Sequence, residues 1–177
     1  MVREPDRSKP AFGPADLLTA VRIPLAVAFF WIDSTAWRVV FLWLAGITDF
    51  VDGYVARRWG SSRLGSFLDP VADKVFVAAA FWVVLVSGKL AWWEVVAVMA
   101  RDLTATFAFL LTVAFKRPAA IPARRAGKLV TIGQLLVVLA FLLDSWLLRP
   151  LAWVTAAAAL VAIADYGRVA RGQARGL

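Results

Sequence analysis

The chain has 177 residues, of which 62% are hydrophobic and 9 are Trp, and its mean hydropathy is +0.74. Soluble globular proteins contain roughly 45–50% apolar residues, and a soluble domain of this size could not bury so much apolar surface. The composition therefore predicts a membrane protein. The chain has no Cys and no His, which excludes thiolate nucleophiles, Ser-His-Asp triads and metal sites with Cys or His ligands.

Six apolar runs follow a polar N-terminal segment that covers 1–15. They cover about 17–31, 36–55, 67–86, 91–115, 129–148 and 151–164, and about 20 residues suffice to cross a bilayer. The sequence thus predicts an all-α integral membrane protein with six transmembrane helices and one domain over 1–177. A cleavable signal peptide is the alternative for the first run, but Arg22 interrupts its apolar core.

The 20 Lys and Arg residues are unevenly distributed between the connections. Most lie before the first run, after the second, between the fourth and fifth, or after the sixth, which places both termini in the cytoplasm by the positive-inside rule. The net charge is +8. Because the basic residues border membrane segments, anionic lipid headgroups explain this charge better than nucleic acid does, and no nucleic-acid partner is expected.

Four acidic residues lie within or beside the second and third runs: Asp49, Asp52, Asp69 and Asp73. Carboxylates in a bilayer normally pair, bind cations or face a wet cavity. Spacings of three and four residues place each pair on one face of its helix, and a short turn at 59–62 makes the two helices antiparallel neighbours. Four converging carboxylates repel unless cations neutralise them, and oxygen ligands suit Mg²⁺ or Mn²⁺. The sequence therefore predicts a two-metal site for displacement at phosphorus near the cytoplasmic ends of these helices.

Small and basic residues around the acidic pairs fit a phosphate ligand. Gly53 would let a ligand approach the helix backbone, and Arg57 can pair with a phosphate. The complete pattern reads Asp49-x2-Asp52-Gly53-x2-Ala56-Arg57-x7-Gly65-x3-Asp69-x3-Asp73. It closely resembles the signature of the CDP-alcohol phosphotransferases, with one residue fewer between Arg57 and Gly65 than that family has.

This resemblance implies a substrate, a cofactor and residue roles. Members of the family transfer the phosphate-linked group of a CDP-activated lipid to an alcohol and release CMP. By resemblance, two divalent metal ions, Mg²⁺ or Mn²⁺, hold the pyrophosphate, and Asp73 is the general base for the acceptor hydroxyl or a ligand. A homodimer in the prokaryotic cytoplasmic membrane, with a cytoplasmic active site, is implied as well. The metal ligands would be Asp49, Asp52, Asp69 and Asp73, and the CDP site would contain Asp52, Gly53, Ala56, Arg57, Gly65 and Asp69.

Cations of the fourth and fifth runs are candidates for binding a phosphorylated acceptor. Arg101 lies mid-span, where a lone arginine needs a counter-anion; an ion pair with Asp102 and phosphate binding are both open. Lys128, Thr131 and Gln134 recur every three residues and form a polar stripe whose cytoplasmic end meets Arg124. The predicted acceptor-phosphate residues are Arg101, Arg124, Lys128 and Thr131.

Within the family, several stretches resemble the phosphatidylglycerophosphate synthases. The fifth run resembles their fifth-helix pattern, but Val130 occupies the position of its second lysine, and Phe109 stands where the fourth helix would carry a second arginine. From the resemblance to these synthases, we expect CDP-diacylglycerol as donor and glycerol 3-phosphate as acceptor. Inositol phosphate, serine and phosphatidylglycerol stay open as acceptors. A cation or proton transporter is the alternative from another class, since intramembrane carboxylates also form ion paths.

Overall fold

The structure is a computed structural model that describes the backbone of residues 14–59, 65–114 and 125–175. It describes the side chains of 19–49, 51, 71–108 and 127–165. These ranges form six helices and no strand. The helices are α1 (Pro14–Trp31), α2 (Thr35–Trp59), α3 (Gly65–Val86), α4 (Trp92–Ala114), α5 (Arg125–Leu142) and α6 (Leu148–Arg175).

The six predicted helices are confirmed, but several of their predicted limits are wrong. α1 begins at Pro14, so the N-terminal segment is shorter than the predicted 1–15. α2 continues to Trp59, which the sequence had placed in a turn. α6 continues to Arg175, well beyond the predicted end at 164. The prediction followed the apolar run, whereas the helix includes the polar turns after it.

The end of α5 also differs from the prediction, which ran to 148. Asp144 has a φ of 51° and ends the helix in the left-handed region. Its N–H donates to Phe141 O over 3.2 Å, and the N–H of Ser145 donates to Ala140 O over 2.9 Å, which is the Schellman arrangement of a helix C-terminus. Only Asp144 and Ser145 interrupt the apolar sequence here, and Trp146, Leu147 and Leu148 follow them at once. Averaged hydropathy therefore joined the residues on both sides of the turn into one run.

The chain divides into two compact units, with the boundary between Val83 and Val84. In the first unit, α1 packs against α2. Phe29 of α1 meets Phe76 of α3 edge to face, with ring centroids 5.6 Å apart. Both rings are buried, as are Ala45 and Ala72, so small and aromatic residues together fill this core.

In the second unit, α6 packs along both α5 and α4. Its buried face consists mostly of small residues, which allow two helix backbones to approach closely and pack through van der Waals contacts. At the contact with α5, a Cβ built on Gly133 would lie 2.5 Å from Thr155 Oγ1, so only glycine fits there. Among the side chains of α6 that are described, 148–165, the buried ones are Leu148, Ala152, Thr155, Ala156, Ala159 and Ala162.

Large apolar side chains are exposed on all six helices. On α6 they include Trp153, which is 52% exposed, and Leu160, which is 64% exposed. Within the described residues, one helix is long and apolar enough to cross a membrane, through Leu148–Asp165, and 33% of that window is buried. Exposed apolar surface on this scale is typical of a surface covered by lipid or a partner. That all six helices span the bilayer stays a prediction.

Candidate active site

Asp49 of α2, a predicted metal ligand, forms an ion pair with Arg22 of α1. Arg22 Nη2 lies 3.2 Å from Asp49 Oδ1. The two side chains differ sharply in exposure, at 2% for Arg22 and 61% for Asp49. A buried guanidinium requires a partner, because leaving its charge uncompensated costs several kcal/mol. The carboxylate thus partners a buried cation through Oδ1 while the rest of its side chain is exposed.

Thr48 provides a second contact for the same guanidinium. Arg22 Nε donates to Thr48 Oγ1 over 3.4 Å. The threonine hydroxyl lies 2.9 Å from both Leu44 O and Ala45 O, so its proton is directed to its own helix and a lone pair faces the arginine. Two adjacent side chains of α2 therefore contact the guanidinium and help to orient it.

The remaining predicted metal ligands are only partly within the described side chains. Asp73 is half-buried on α3. Asp52 and Asp69 lie in the helical backbone of α2 and α3, but their side chains lie outside the described residues. Among the side chains that are described, no group of three acids is close enough to hold a metal, so the convergence of the four aspartates stays a prediction. The donor set is nevertheless suitable, since it contains only carboxylate oxygens, as Mg²⁺ and Mn²⁺ prefer.

The predicted CDP-binding residues are also placed by backbone alone. Gly53, Ala56 and Arg57 lie in the last turns of α2, and Gly65 is the first residue of α3. Their side-chain surroundings lie outside the described residues. As the sequence predicts, both halves of the signature are helical: 49–57 lie in α2, and 65–73 lie in α3.

In the second unit, Arg101 forms the ion pair with Asp102 that the sequence left open. Arg101 Nη1 lies 2.7 Å from Asp102 Oδ1, and the two side chains are 21% and 15% exposed. Gln134 of α5 donates from Nε2 to Asp102 Oδ2 over 2.6 Å and to Val98 O over 3.2 Å. Asp102 therefore joins an arginine and a buried glutamine, and each of its oxygens has a partner.

The polar stripe of α5 changes from exposed to buried along the helix. Lys128 is exposed, Thr131 is half-buried and bonds to Gly127 O over 3.2 Å, and Gln134 is buried. Arg124, the other predicted acceptor residue, lies outside the described residues. Val130 is fully buried together with Ala159 and Ala162 of α6, so the position that would carry a second lysine belongs to the helix-packing core.

Two functional candidates were missed by the sequence interpretation as site residues. The sequence interpretation gives Arg22 no role in the site, although a cation within an apolar run needs an anion. The acids of the following helix are Asp49 and Asp52. Gln134 was placed on the stripe but not in the site. Its burial against α4 depends on helix packing, for which the stripe itself gives no signal.

Comparison with known proteins decides between an enzyme and a transporter. The sequence profile named CDP-alcohol phosphatidyltransferase matches residues 13–164. The chain belongs to this family. The match runs through all four aspartates and into α6. The predicted resemblance is thus confirmed, the protein is an enzyme of a membrane-associated family that generally uses divalent metals, and the transporter interpretation is not supported.

Curated relatives include three differently named proteins. A CDP-diacylglycerol–glycerol-3-phosphate 3-phosphatidyltransferase of Salmonella typhimurium is 36% identical over 154 residues, which is 81% of each chain. A putative cardiolipin synthase of Mycobacterium tuberculosis is 34% identical over 124 residues, 67% of this chain and 58% of the relative. A probable phosphatidylglycerophosphate synthase of Mycobacterium tuberculosis is 38% identical over 100 residues, 56% of this chain and 46% of the relative. The match thus spans little more than half the length of the cardiolipin synthase.

Proposed function

We propose that this protein transfers the phosphatidyl group of CDP-diacylglycerol to glycerol 3-phosphate and releases CMP. The observation that carries the proposal is the family match over 13–164, which includes the whole aspartate signature. The Salmonella relative whose name states this reaction aligns over 81% of each chain, which supports the choice of acceptor.

The aspartates supply the chemistry at the donor. Asp49, Asp52, Asp69 and Asp73 would hold two divalent ions, Mg²⁺ or Mn²⁺. Bound there, the ions would neutralise the pyrophosphate and stabilise the charge that develops on the departing CMP. Arg57 adds a guanidinium for a phosphate oxygen, and the small residues Gly53, Ala56 and Gly65 leave room for the CDP group.

The acceptor hydroxyl loses its proton to a carboxylate oxygen of Asp73. The acceptor oxygen then forms a bond to the phosphorus that carries diacylglycerol, and the bond from that phosphorus to the CMP oxygen breaks, so CMP leaves with the electron pair. Asp73 returns the proton to water. General-base catalysis of this kind contributes typically 10²–10⁴-fold.

The acceptor phosphate needs cationic donors. Arg101, Arg124, Lys128 and Thr131 would bind it, since charge-assisted hydrogen bonds to phosphate are about twice as strong as neutral ones. The Asp102 carboxylate removes one guanidinium nitrogen of Arg101 from this role, while an arginine has five N–H donors in total. The ion pair and phosphate binding are therefore compatible in one side chain.

Phosphatidylglycerol is the second candidate acceptor, and it would give cardiolipin. One observation favours it: Val130 stands where the phosphatidylglycerophosphate synthase pattern has its second lysine, so this chain lacks one cation of that pattern. The valine side chain is buried in the α5–α6 core. The mycobacterial relative named as a cardiolipin synthase fits this alternative. Phosphatidylglycerol carries its phosphate as a diester, with less charge than glycerol 3-phosphate has.

The assay that tests the function measures CMP release by the purified full-length protein. CDP-diacylglycerol is supplied with Mg²⁺ or Mn²⁺, and glycerol 3-phosphate, inositol phosphate, serine and phosphatidylglycerol are offered separately. Metal-dependent release with glycerol 3-phosphate is expected, and Asp73→Asn should abolish it. Asp33→Asn is the matched control, because Asp33 is an exposed acid that pairs with Arg38. Release with a different acceptor alone would overturn the choice of acceptor, and release without metal would overturn the mechanism.

The arrangement in the membrane is part of the proposal. Six spans with both termini and the active site in the cytoplasm follow from the charge distribution, and a homodimer follows from the family resemblance. The absence of Cys permits a direct test, since single cysteines introduced at positions 9 and 89 would report opposite sides. An impermeant thiol reagent should label position 89 in intact cells and position 9 only after lysis.

A further inference from the structure

Arg22 lies at a position where simple membrane anchoring does not explain it. Its side chain is 2% exposed, whereas a lipid-anchoring arginine extends to the interface and stays wet. The guanidinium instead reaches from α1 to two consecutive residues of α2, Thr48 and Asp49. One of those residues begins the aspartate signature. The mechanism proposed above gives Arg22 no role.

The two partners of this ion pair differ in exposure, since the cation is buried and the anion is exposed. Arg22 binds Oδ1 of Asp49, and within the described residues it is the partner that the structure gives to that carboxylate. Thr48 holds the guanidinium by Nε and is itself bonded to its own helix. The pair thus restricts the rotation of the Asp49 carboxylate and leaves the second oxygen available to a metal.

We propose that Arg22 is a positioning residue of the metal site, which holds Asp49 for ligation through one oxygen. The inference rests on the proposed function. Partners of this kind, which orient a ligand without touching the metal, typically contribute 10–100-fold to metal affinity or activity. Four carboxylates and two divalent ions also sum to zero charge, so the charge of Arg22 leaves the loaded site positive, which suits a pyrophosphate.

The test measures Mn²⁺ binding to the full-length protein in detergent, without substrate, from the electron paramagnetic resonance signal of free Mn²⁺. Arg22→Gln should raise the Kd for Mn²⁺ by about tenfold or more. Arg22→Lys keeps the charge but loses the two-pronged geometry, so its Kd should lie between those of Arg22→Gln and the wild type. An unchanged Kd in Arg22→Gln overturns the proposal, and so does a lower one, which would mean that the arginine acts only by repelling the metal.

Arg38 provides a matched control in the same pair of helices. Its Nε donates to Phe29 O over 3.2 Å, and its Nη2 pairs with Asp33 at 3.4 Å. Arg38 of α2 therefore also connects α2 to α1, but at the opposite end of the two helices from Arg22. Arg38→Gln should lower the melting temperature and leave the Kd for Mn²⁺ unchanged. Should it raise that Kd as much as Arg22→Gln does, the effect is structural and the proposal fails.

Thr48→Val decides the matter if Arg22→Gln does not fold. This nearly isosteric change removes the hydroxyl that holds Nε and retains the ion pair. A rise in the Kd for Mn²⁺ above that of the wild type, smaller than the tenfold expected for loss of the arginine, supports the proposal. A Kd equal to that of the wild type overturns it. The wild type separates this inference from the proposed function: if it binds Mn²⁺ and releases CMP while the Arg22 and Thr48 variants bind Mn²⁺ normally, the positioning role alone is wrong. If the wild type neither binds Mn²⁺ nor releases CMP, both proposals are wrong.

Discussion

Gln134 Nε2 on α5 donates a hydrogen bond to Asp102 Oδ2 on α4 over 2.6 Å. The glutamine is 2% exposed, and the carboxylate is 15% exposed. A hydrogen bond to a charged group in such surroundings contributes more than a neutral one, because the carboxylate has lost most of its water. The contact therefore joins two helices that otherwise share little surface.

Gln134→Leu should destabilise the protein by about 1–3 kcal/mol, since one Asp102 oxygen loses its partner in a half-buried site. The free energy of unfolding in mixed micelles, measured by circular dichroism, checks this. Thr131→Val on the same stripe is the control for stability, because Thr131 bonds within its own helix. Equal losses in both variants would mean that the link between the helices contributes nothing.

Arg101→Gln should raise the KM for glycerol 3-phosphate by about tenfold or more, since a lost charge-assisted hydrogen bond is worth about 1.5–3 kcal/mol. The KM for CDP-diacylglycerol should not change. Steady-state kinetics of CMP release measures both constants. Arg149→Gln is the control, because Arg149 is exposed and lies 4.0 Å from Glu94. If the acceptor KM of Arg101→Gln equals that of the wild type, Arg101 serves only its ion pair with Asp102.

Gly133→Ala should destabilise the protein by about 1–3 kcal/mol through overpacking. The new methyl group would lie 2.5 Å from Thr155 Oγ1 and 2.9 Å from its Cγ2, so α5 and α6 must separate. Adding Thr155→Ala should recover much of the loss. Gly46→Ala is the control within α2, where nothing lies within 4 Å, and it should stabilise the helix by about 0.5–1 kcal/mol. Melting curves of the three variants and the wild type contradict this account if Gly133→Ala behaves like Gly46→Ala.

The ion pair between Lys89 and Asp144 should make the stability of the protein depend on pH in the acidic range. Lys89 Nζ lies 2.7 Å from Asp144 Oδ1, and this hydrogen bond lowers the pKa of Asp144 below its ordinary value of 3.8. The stabilisation is therefore complete above that value and is lost as the pH falls through the lower pKa of the folded protein. Melting temperatures measured from pH 7 to pH 3 should fall less steeply in Lys89→Gln than in the wild type. Parallel curves would show that the contact contributes nothing, as exposed pairs often do.

The sequence predicts the number of helices and the family because both depend on local pattern. Apolar runs of bilayer length locate the helices, and the spacings of Asp49, Asp52, Asp69 and Asp73 carry the family signature. Helix limits were less accurate. The cap at Asp144 depends on its left-handed backbone conformation, and averaged hydropathy contains no information on backbone conformation.

Contacts between helices could not be predicted, because they depend on which faces pack together. Arg22 and Gln134 are polar residues in apolar helices, and the sequence shows that each needs a partner. It does not show that the partners are Asp49 and Asp102. The same limit applies to Val130: its place in the lysine pattern is visible in the sequence, whereas its burial against α6 is a result of packing.

That burial restricts how the acceptor preference can evolve or be engineered. Val130 is fully buried in contact with residues of α6 that have almost no side chain. A lysine at this position would need room for four methylenes and a charge in a space filled by Ala159 and Ala162, and α6 would have to move. Introducing a lysine at position 130 therefore requires changes in both α5 and α6. Single substitutions that change the acceptor have to begin at the exposed end of the polar stripe of α5, around Lys128.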